Sequence, residues 1–176
     1  MKILDLGCGK SKYSGAIGVD FSDRHSPDVV HDLNVFPYPF PDSEFDLIVM
    51  NNVLEHLDDV LSVMREVHRI CKSGGGRVKV IVPYFRSIWA FIDPTHKHCF
   101  TVDSFSYFDP QSPICQRYDY VDYRFFIENI IFNESLKTAW WKKPFLWFAN
   151  KQPIRYELYL SHLIPMDDIT YNLKKA

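Results

Sequence analysis

This chain of 176 residues has only four cysteines, Cys8, Cys71, Cys99 and Cys115, and no two of them form a Cys-x-x-Cys pair. Such spacing excludes a disulfide framework and the common zinc knuckles, and it fits a reducing cytoplasm. An excess of charge is lacking as well. The formal net charge is −2, so nucleic acid or an anionic membrane would have to be held by a local patch rather than a global field. No apolar run is long enough to cross a bilayer free of charges, and the opening Met-Lys-Ile-Leu-Asp-Leu-Gly is too short for a signal peptide. What is present is apolar material, 47% of residues with 16% aromatic, enough for the core of one domain over residues 1–176.

Residues 2–6 read as a buried strand that starts almost at the first residue, with no extension expected before it, and a glycine cluster ends it. Residues 16–20 and 28–32 read as short strands ending in acids, and 45–50 as a continuous apolar strand of the kind buried in a parallel sheet. From Leu57, the apolar Val60, Leu61, Met64, Val67 and Cys71 recur at helical spacing. Asp58 and Asp59 fall in the first turn, Arg69 and Lys72 in the last, and Gly74 to Gly76 behind. Residues 77–82 give a further strand, stopped by Pro83. This alternation predicts an α/β fold with parallel pairing and right-handed crossovers. In the second half, 101–108 predicts a short helix, 118–132 a long strand or hairpin arm, 153–163 an amphipathic helix and 169–173 a closing edge strand. The stretch 36–41, Phe-Pro-Tyr-Pro-Phe-Pro, is a proline-interrupted loop.

The strongest local feature is Ile3-Leu4-Asp5-Leu6-Gly7-Cys8-Gly9, a strand running into a glycine turn that lets a ligand approach the backbone. A dinucleotide fingerprint needs a third glycine where Lys12 stands. A phosphate loop built on Gly9-Lys10-Ser11 needs a glycine where Leu4 stands, inside the strand. Gly-Lys-Ser is therefore a decoy.

Further motifs follow in order. They are Ile17-Gly18-Val19-Asp20, His31-Asp32-Leu33 with Phe40-Pro41-Asp42, Phe45 to Met50 followed by Asn51-Asn52-Val53-Leu54-Glu55-His56-Leu57, and Ser73-Gly74-Gly75-Gly76-Arg77. Together with the glycine turn this series resembles the class I S-adenosylmethionine-dependent methyltransferases of the type-11 kind, closely over residues 1–85 and loosely in the C-terminal third. The resemblance implies a doubly wound, mostly parallel, seven-stranded Rossmann-like sheet with residues 1–85 as the cofactor half and 86–176 as the acceptor side. It implies S-adenosyl-L-methionine as cofactor. Gly7, Cys8 and Gly9 would pass its methionine portion, while Asp5 would accept from its ammonium or orient the turn. Asp20, followed by Phe21, would take the ribose hydroxyls, and Asp32 and Leu33 the adenine. Asn51 would offer a carbonyl near the sulfonium, with Asn52, Val53 and His56 completing the site. One departure stands out: only residues 10–16 separate the glycine turn from the second strand, room for about two helical turns. Without a full first-crossover helix the methionine carboxylate loses the usual helix N-terminus, and Lys10, Ser11 and Lys12 are possible substitutes.

Plainer readings stand beside these. A lone Asp20 or Asp32 is ordinarily a turn or cap residue, and only the ordered series at four strand ends favours ligands. Cys8, between two glycines, fits a need for small size rather than a nucleophile. Glu55 and His56 look like an acid–base pair, yet successive helical residues point apart, so one of them would cap or pack.

On the acceptor side, 93–101, Asp-Pro-Thr-His-Lys-His-Cys-Phe-Thr, resembles a segment of a subset of these enzymes. Methyl transfer is an in-line displacement that needs alignment, and a base only if the acceptor must lose a proton. Asp93, His96 and His98 are the candidate catalytic groups, with Asp93-Pro94 constraining the loop that carries them. His96 and His98 also invite a metal, but no third ligand follows at a metal-site spacing, so a polar loop without metal is expected. Residues 140–148, aromatic with Lys142 and Lys143, read as sheet-covering core or lid before a membrane-interface segment. The expected activity is methyl transfer to a small-molecule acceptor, such as a lipid or saccharide precursor. The alternative is a non-catalytic cofactor-binding module acting through protein association. Nucleic acid is disfavoured by the missing basic stripe.

Overall fold

The structure, a computed structural model, describes residues 1–133 and 140–176. Seven strands form one sheet: β1 (Ile3–Leu6), β2 (Ile17–Asp20), β3 (Val29–Val30), β4 (Leu47–Asn51), β5 (Arg77–Pro83), β6 (Phe125–Asn133) and β7 (Asp168–Lys175), in the order β3-β2-β1-β4-β5-β7-β6. β1 pairs in parallel with β2 and β4, as do β2 with β3 and β4 with β5, while β7 runs antiparallel to β5 and β6. The chain winds outward from β1 to β3 and then returns to β4 on the other side of β1. The resulting doubly wound, Rossmann-like sheet has its switch point between β1 and β4, where a crevice opens beyond the strand ends.

Register explains the burial. Leu4, Ile48, Val78 and Leu173 share one row and Leu6, Met50, Val80 and Tyr171 another, and all eight are buried. On the opposite face Lys79, Ile81 and Asn172 are half-buried and Lys174 is exposed. The helix α1 (Val60–Ile70) carries the β4–β5 crossover and buries Val63, Met64, Val67 and Ile70. Asp59 is its N-cap rather than a first-turn residue, accepting from the N–H groups of Leu61 and Ser62. The helix starts at Val60, not Leu57, because a 3-10 turn over Leu54–His56 precedes it.

Beyond β5 lie α2 (Trp89–Ile92), α3 (Pro113–Tyr118), α4 (Lys143–Lys151) and α5 (Pro153–Tyr159). Several expectations are corrected here. Residues 101–108 form successive turns instead of a helix, held where Phe105 packs 4.3 Å from Tyr171 between ring centroids. The strand expected over 118–132 is confined to β6, since its first residues end α3 and form a loop. The helix expected over 153–163 stops at Tyr159, and the strand expected over 28–32 shrinks to β3. The strand at 169–173 is not an edge: β7 lies between β5 and β6, and Ile169, Thr170, Tyr171 and Leu173 are all buried. Residues 10–16 make turns and no helix. In 140–148, Phe145, Leu146 and Phe148 pack on the core, while Trp140 is 81% and Trp147 62% exposed.

Candidate functional site

The glycine turn after β1 is dictated by geometry. Gly7 has φ +73°, and a Cβ there would sit 2.4 Å from Val53 Cγ2, so two constraints exclude any side chain. Across the turn, the Gly9 N–H donates to Asp20 Oδ2 at 2.9 Å and the Ser22 N–H to Asp20 Oδ1 at 3.1 Å. Asp20 is buried at the end of β2, and each of its oxygens keeps a lone pair for a further donor. Asp5 is buried one strand over and accepts from the Tyr13 N–H at 2.7 Å. Burial raises its pKa, against that hydrogen bond and the Lys12 charge. Lys12 is engaged elsewhere, in an ion pair with Asp28 at 2.7 Å.

These strand ends line a cavity of about 760 Å³ that includes Gly7, Asp20, Phe21, Asp32, Leu33, Asn52, Val53 and His56. Its far wall is Asn34, Leu57, Pro94, Thr95 and Lys97. The wall is braced across the cleft: Asn34 Oδ1 accepts from the Asp58 N–H at 2.8 Å, and Lys97 Nζ donates to Asp58 Oδ1 at 2.6 Å. A second cavity, about 370 Å³, adjoins it. Asn52, Glu55, His56, Pro83, Trp89, Ile92, Asp93, His96 and Asp168 line this one, so Asn52 and His56 belong to both.

The polar groups between the cavities form a defined network. Thr95 Oγ1 donates to Asp93 Oδ1 at 2.7 Å, which leaves it as acceptor for His56 Nδ1–H at 2.8 Å. His96 Nδ1–H donates to the Ala90 carbonyl at 3.2 Å, and its Nε2 lies 4.0 Å from Glu55 Oε1. Glu55 is 1% exposed, and neither of its carboxylate oxygens has a hydrogen-bond partner. Burial pushes its pKa up to about 7, helped by the charges of Asp168 and Asp93. Burial also lowers the His56 pKa, with the His96 charge adding to it, while hydrogen bonds from Thr95 lower that of Asp93. Glu55, His56 and His96 each bring a metal-ligating atom within 4.8 Å of the others.

Most of the strand-end residues singled out by sequence therefore line the larger cavity. Asp5, Cys8, Gly9 and Asn51 do not. Asp5 and Gly9 brace the turn, Cys8 packs against Gly18, and Asn51 ends β4 in solvent. Of the loop histidines, only His96 reaches the smaller cavity. His98 Nε2–H donates to the Leu57 carbonyl at 2.8 Å and ties the loop to the end of the 3-10 turn over Leu54–His56. Ile92 and Asp168 carry no motif and were not expected in the site, whereas Trp89 falls in the acceptor-side segment after the fifth strand and Glu55 was read with His56 as a pair of which one would cap or pack. Glu55 and His56 meet at His96, whose ring centroid lies 4.6 Å from that of His56 and whose Nε2 lies 4.0 Å from Glu55 Oε1.

A family model described as a methyltransferase domain matches residues 4–78. Demethylmenaquinone methyltransferase of Geobacillus stearothermophilus is 28% identical over 99 residues, 42% of this chain and 42% of that protein. Its counterpart in Staphylococcus saprophyticus is 30% identical over 97 residues, 42% of this chain and 41% of that one. The match thus spans about two fifths of the curated relatives' length. Among solved structures, a SAM dependent methyltransferase from Archaeoglobus fulgidus superposes with a TM-score of 0.57 at 20% identity, covering 99% of this chain and 86% of that one. One from Mesorhizobium loti gives 0.59 at 16% identity, covering 99% and 90%. That likeness is one of fold.

Proposed function

The chain carries a class I S-adenosylmethionine-dependent methyltransferase domain of the type-11 kind, with S-adenosyl-L-methionine as cofactor, and from that premise we propose that it methylates a small molecule seated in the smaller cavity. The observation that supports this reading is the shared wall: the two cavities meet at Asn52 and His56. A cofactor laid along Gly7, Asp20 and Leu33 would present its methyl group at that junction. The reaction is an in-line displacement, so alignment does most of the catalysis. Asp93 and His96 are the loop groups that face the acceptor, and His98 positions the loop. Among the described residues no helix is long and apolar enough to cross a membrane, and we place the reaction in the cytoplasm. The exposed Trp140 and Trp147 beside Lys142 and Lys143 support a lipid-borne acceptor met at a membrane surface over a saccharide precursor.

Calorimetry with S-adenosylhomocysteine tests the cofactor half: the wild type binds, and Asp20→Ala binds at least several-fold more weakly. Folded wild-type protein with affinity for neither the cofactor nor its demethylated product removes the proposal. Transfer of label from methyl-labelled cofactor into a panel of candidate acceptors tests the rest. Cofactor binding without transfer to any of them favours the alternative of a non-catalytic binding module.

A further inference from the structure

Three acceptor atoms converge between the cavities with no donor among them. His56 spends its Nδ1 proton on Thr95, whose own hydroxyl proton is committed to Asp93, so His56 Nε2 carries a lone pair. His96 spends its Nδ1 proton on the Ala90 carbonyl, so its Nε2 carries one too, directed at Glu55. Glu55 adds a carboxylate that is 1% exposed and unpartnered. Such a carboxylate is costly to bury alone, and at 4.0 Å from His96 Nε2 even its protonated form makes no hydrogen bond. A cation accounts for all three at once. The other two features of a built site are also present. Each imidazole donates its remote N–H to a carbonyl or a hydroxyl–carboxylate pair, the outer-shell arrangement that fixes the tautomer of metal-ligating histidines. The ligand set spans two segments, which is why neither the His96–His98 spacing nor the Glu55–His56 pair announced it.

We propose that Glu55, His56 and His96 form a binding site for a divalent transition metal of the zinc type. Two imidazole nitrogens and one carboxylate match the ligand set of open zinc sites, whereas magnesium and calcium prefer oxygen ligands alone. Donors about 2.1 Å from a shared tetrahedral ion lie roughly 3.4 Å apart. The present spread of up to 4.8 Å therefore has to close by up to about 1.4 Å, within the reach of side-chain rotation. The fourth position faces the smaller cavity. An acceptor bearing a hydroxyl or carboxylate oxygen would ligate there; this extension rests on the proposed function, while the metal site does not.

The test uses the full chain freed of metal with EDTA, then titrated with Co²⁺ as a spectroscopic probe. One equivalent is expected to give the visible absorption of a four- or five-coordinate ion, to be displaced by Zn²⁺, and to raise the melting temperature. Glu55→Gln and His96→Ala are each expected to weaken Co²⁺ at least tenfold, and His25→Ala, at an exposed histidine outside the cluster, to leave it unchanged. Acetohydroxamate, an oxygen-donor probe, shifts the band if the open position is reachable. The proposal is overturned if the wild type shows no saturable cobalt band, or if both ligand variants bind Co²⁺ as the wild type does. Calorimetry of the same variants with S-adenosylhomocysteine keeps the readings apart. Retained cofactor affinity with lost metal supports the site, and a wild type that binds metal but no cofactor would remove only the methyltransferase reading.

Discussion

Gly7 is the residue on which most of the cleft depends. A methyl group at that position meets Val53 Cγ2 at 2.4 Å and the backbone holds φ +73°, so Gly7→Ala must either displace Val53 from the cavity wall or unwind the turn. The expected result is loss of S-adenosylhomocysteine binding by at least tenfold, with a destabilisation of about 1–3 kcal/mol from overpacking and strain. Calorimetry and urea unfolding read the two effects, and unchanged affinity would mean the turn does not touch the ligand. Lys10 lies three residues on and is exposed. Since Leu4 occupies the place of the required upstream glycine, Lys10→Ala is expected to change no nucleotide affinity. Magnesium-dependent ATP binding that disappears in this variant would restore the phosphate-loop reading.

At the scale of elements, α1 does two jobs. Its inner face buries apolar residues against the sheet, and its last turn anchors the proline loop that closes one side of the cleft. Arg69 Nη1 donates to the Phe40 carbonyl and to Asp42, both at 2.8 Å, and Nη2 to the Tyr38 carbonyl at 3.0 Å and to Glu66 at 2.7 Å. Glu66 in turn accepts from the Tyr38 N–H at 2.7 Å, and the Tyr38 hydroxyl donates to the Leu33 carbonyl at 2.9 Å. Leu33 lines the larger cavity, so a surface arginine is connected to the wall of the cleft. Arg69→Ala strands the Glu66 carboxylate and two carbonyls. A loss of about 1.5–3 kcal/mol in stability is expected from removing charge-assisted hydrogen bonds, together with faster amide exchange over residues 36–42. Exchange unchanged in that stretch would show that the prolines alone hold the loop.

At the scale of the whole molecule the dependence of stability on pH is a balance of opposed groups, and His68 contributes a loss in acid. Burial, with the Lys175 charge adding, pushes its pKa down to about 4 from the usual 6.5, so the folded protein keeps it neutral. The unfolded chain binds that proton below pH 6.5, whereas the folded one resists until about pH 4. The unfolded state therefore holds more protons in this window, and stability falls with pH across it. Glu66 and Asp46, held below their usual range by Arg69 and Lys72, extend the loss at lower pH as they too are protonated. Glu55 works the other way in the same window, since its pKa is raised to about 7 and the folded state binds that proton first. The His68 share is therefore read by difference: between pH 6.5 and 4 the melting temperature of His68→Gln should fall less than that of the wild type. An identical slope in the variant would place the acid sensitivity elsewhere.

The fold of residues 1–85 was legible from the chain because its signals are local. A strand that must be buried, a turn that must be glycine and an acid at a strand end are each imposed within a few residues, and their order along residues 1–85 follows from the order of the strands. Residues 86–176 were less legible, because their elements are defined by partners distant in sequence. β7 became an interior strand when β6 paired outside it, the turns at 101–108 were held by Tyr171, and Asn52 and His56 acquired neighbours more than thirty residues away. The meeting of Glu55, His56 and His96 is of the same kind. Short-range sterics and periodicity write themselves into consecutive residues, whereas the convergence of side chains from separate crossovers is a property of how the sheet is wound and packed.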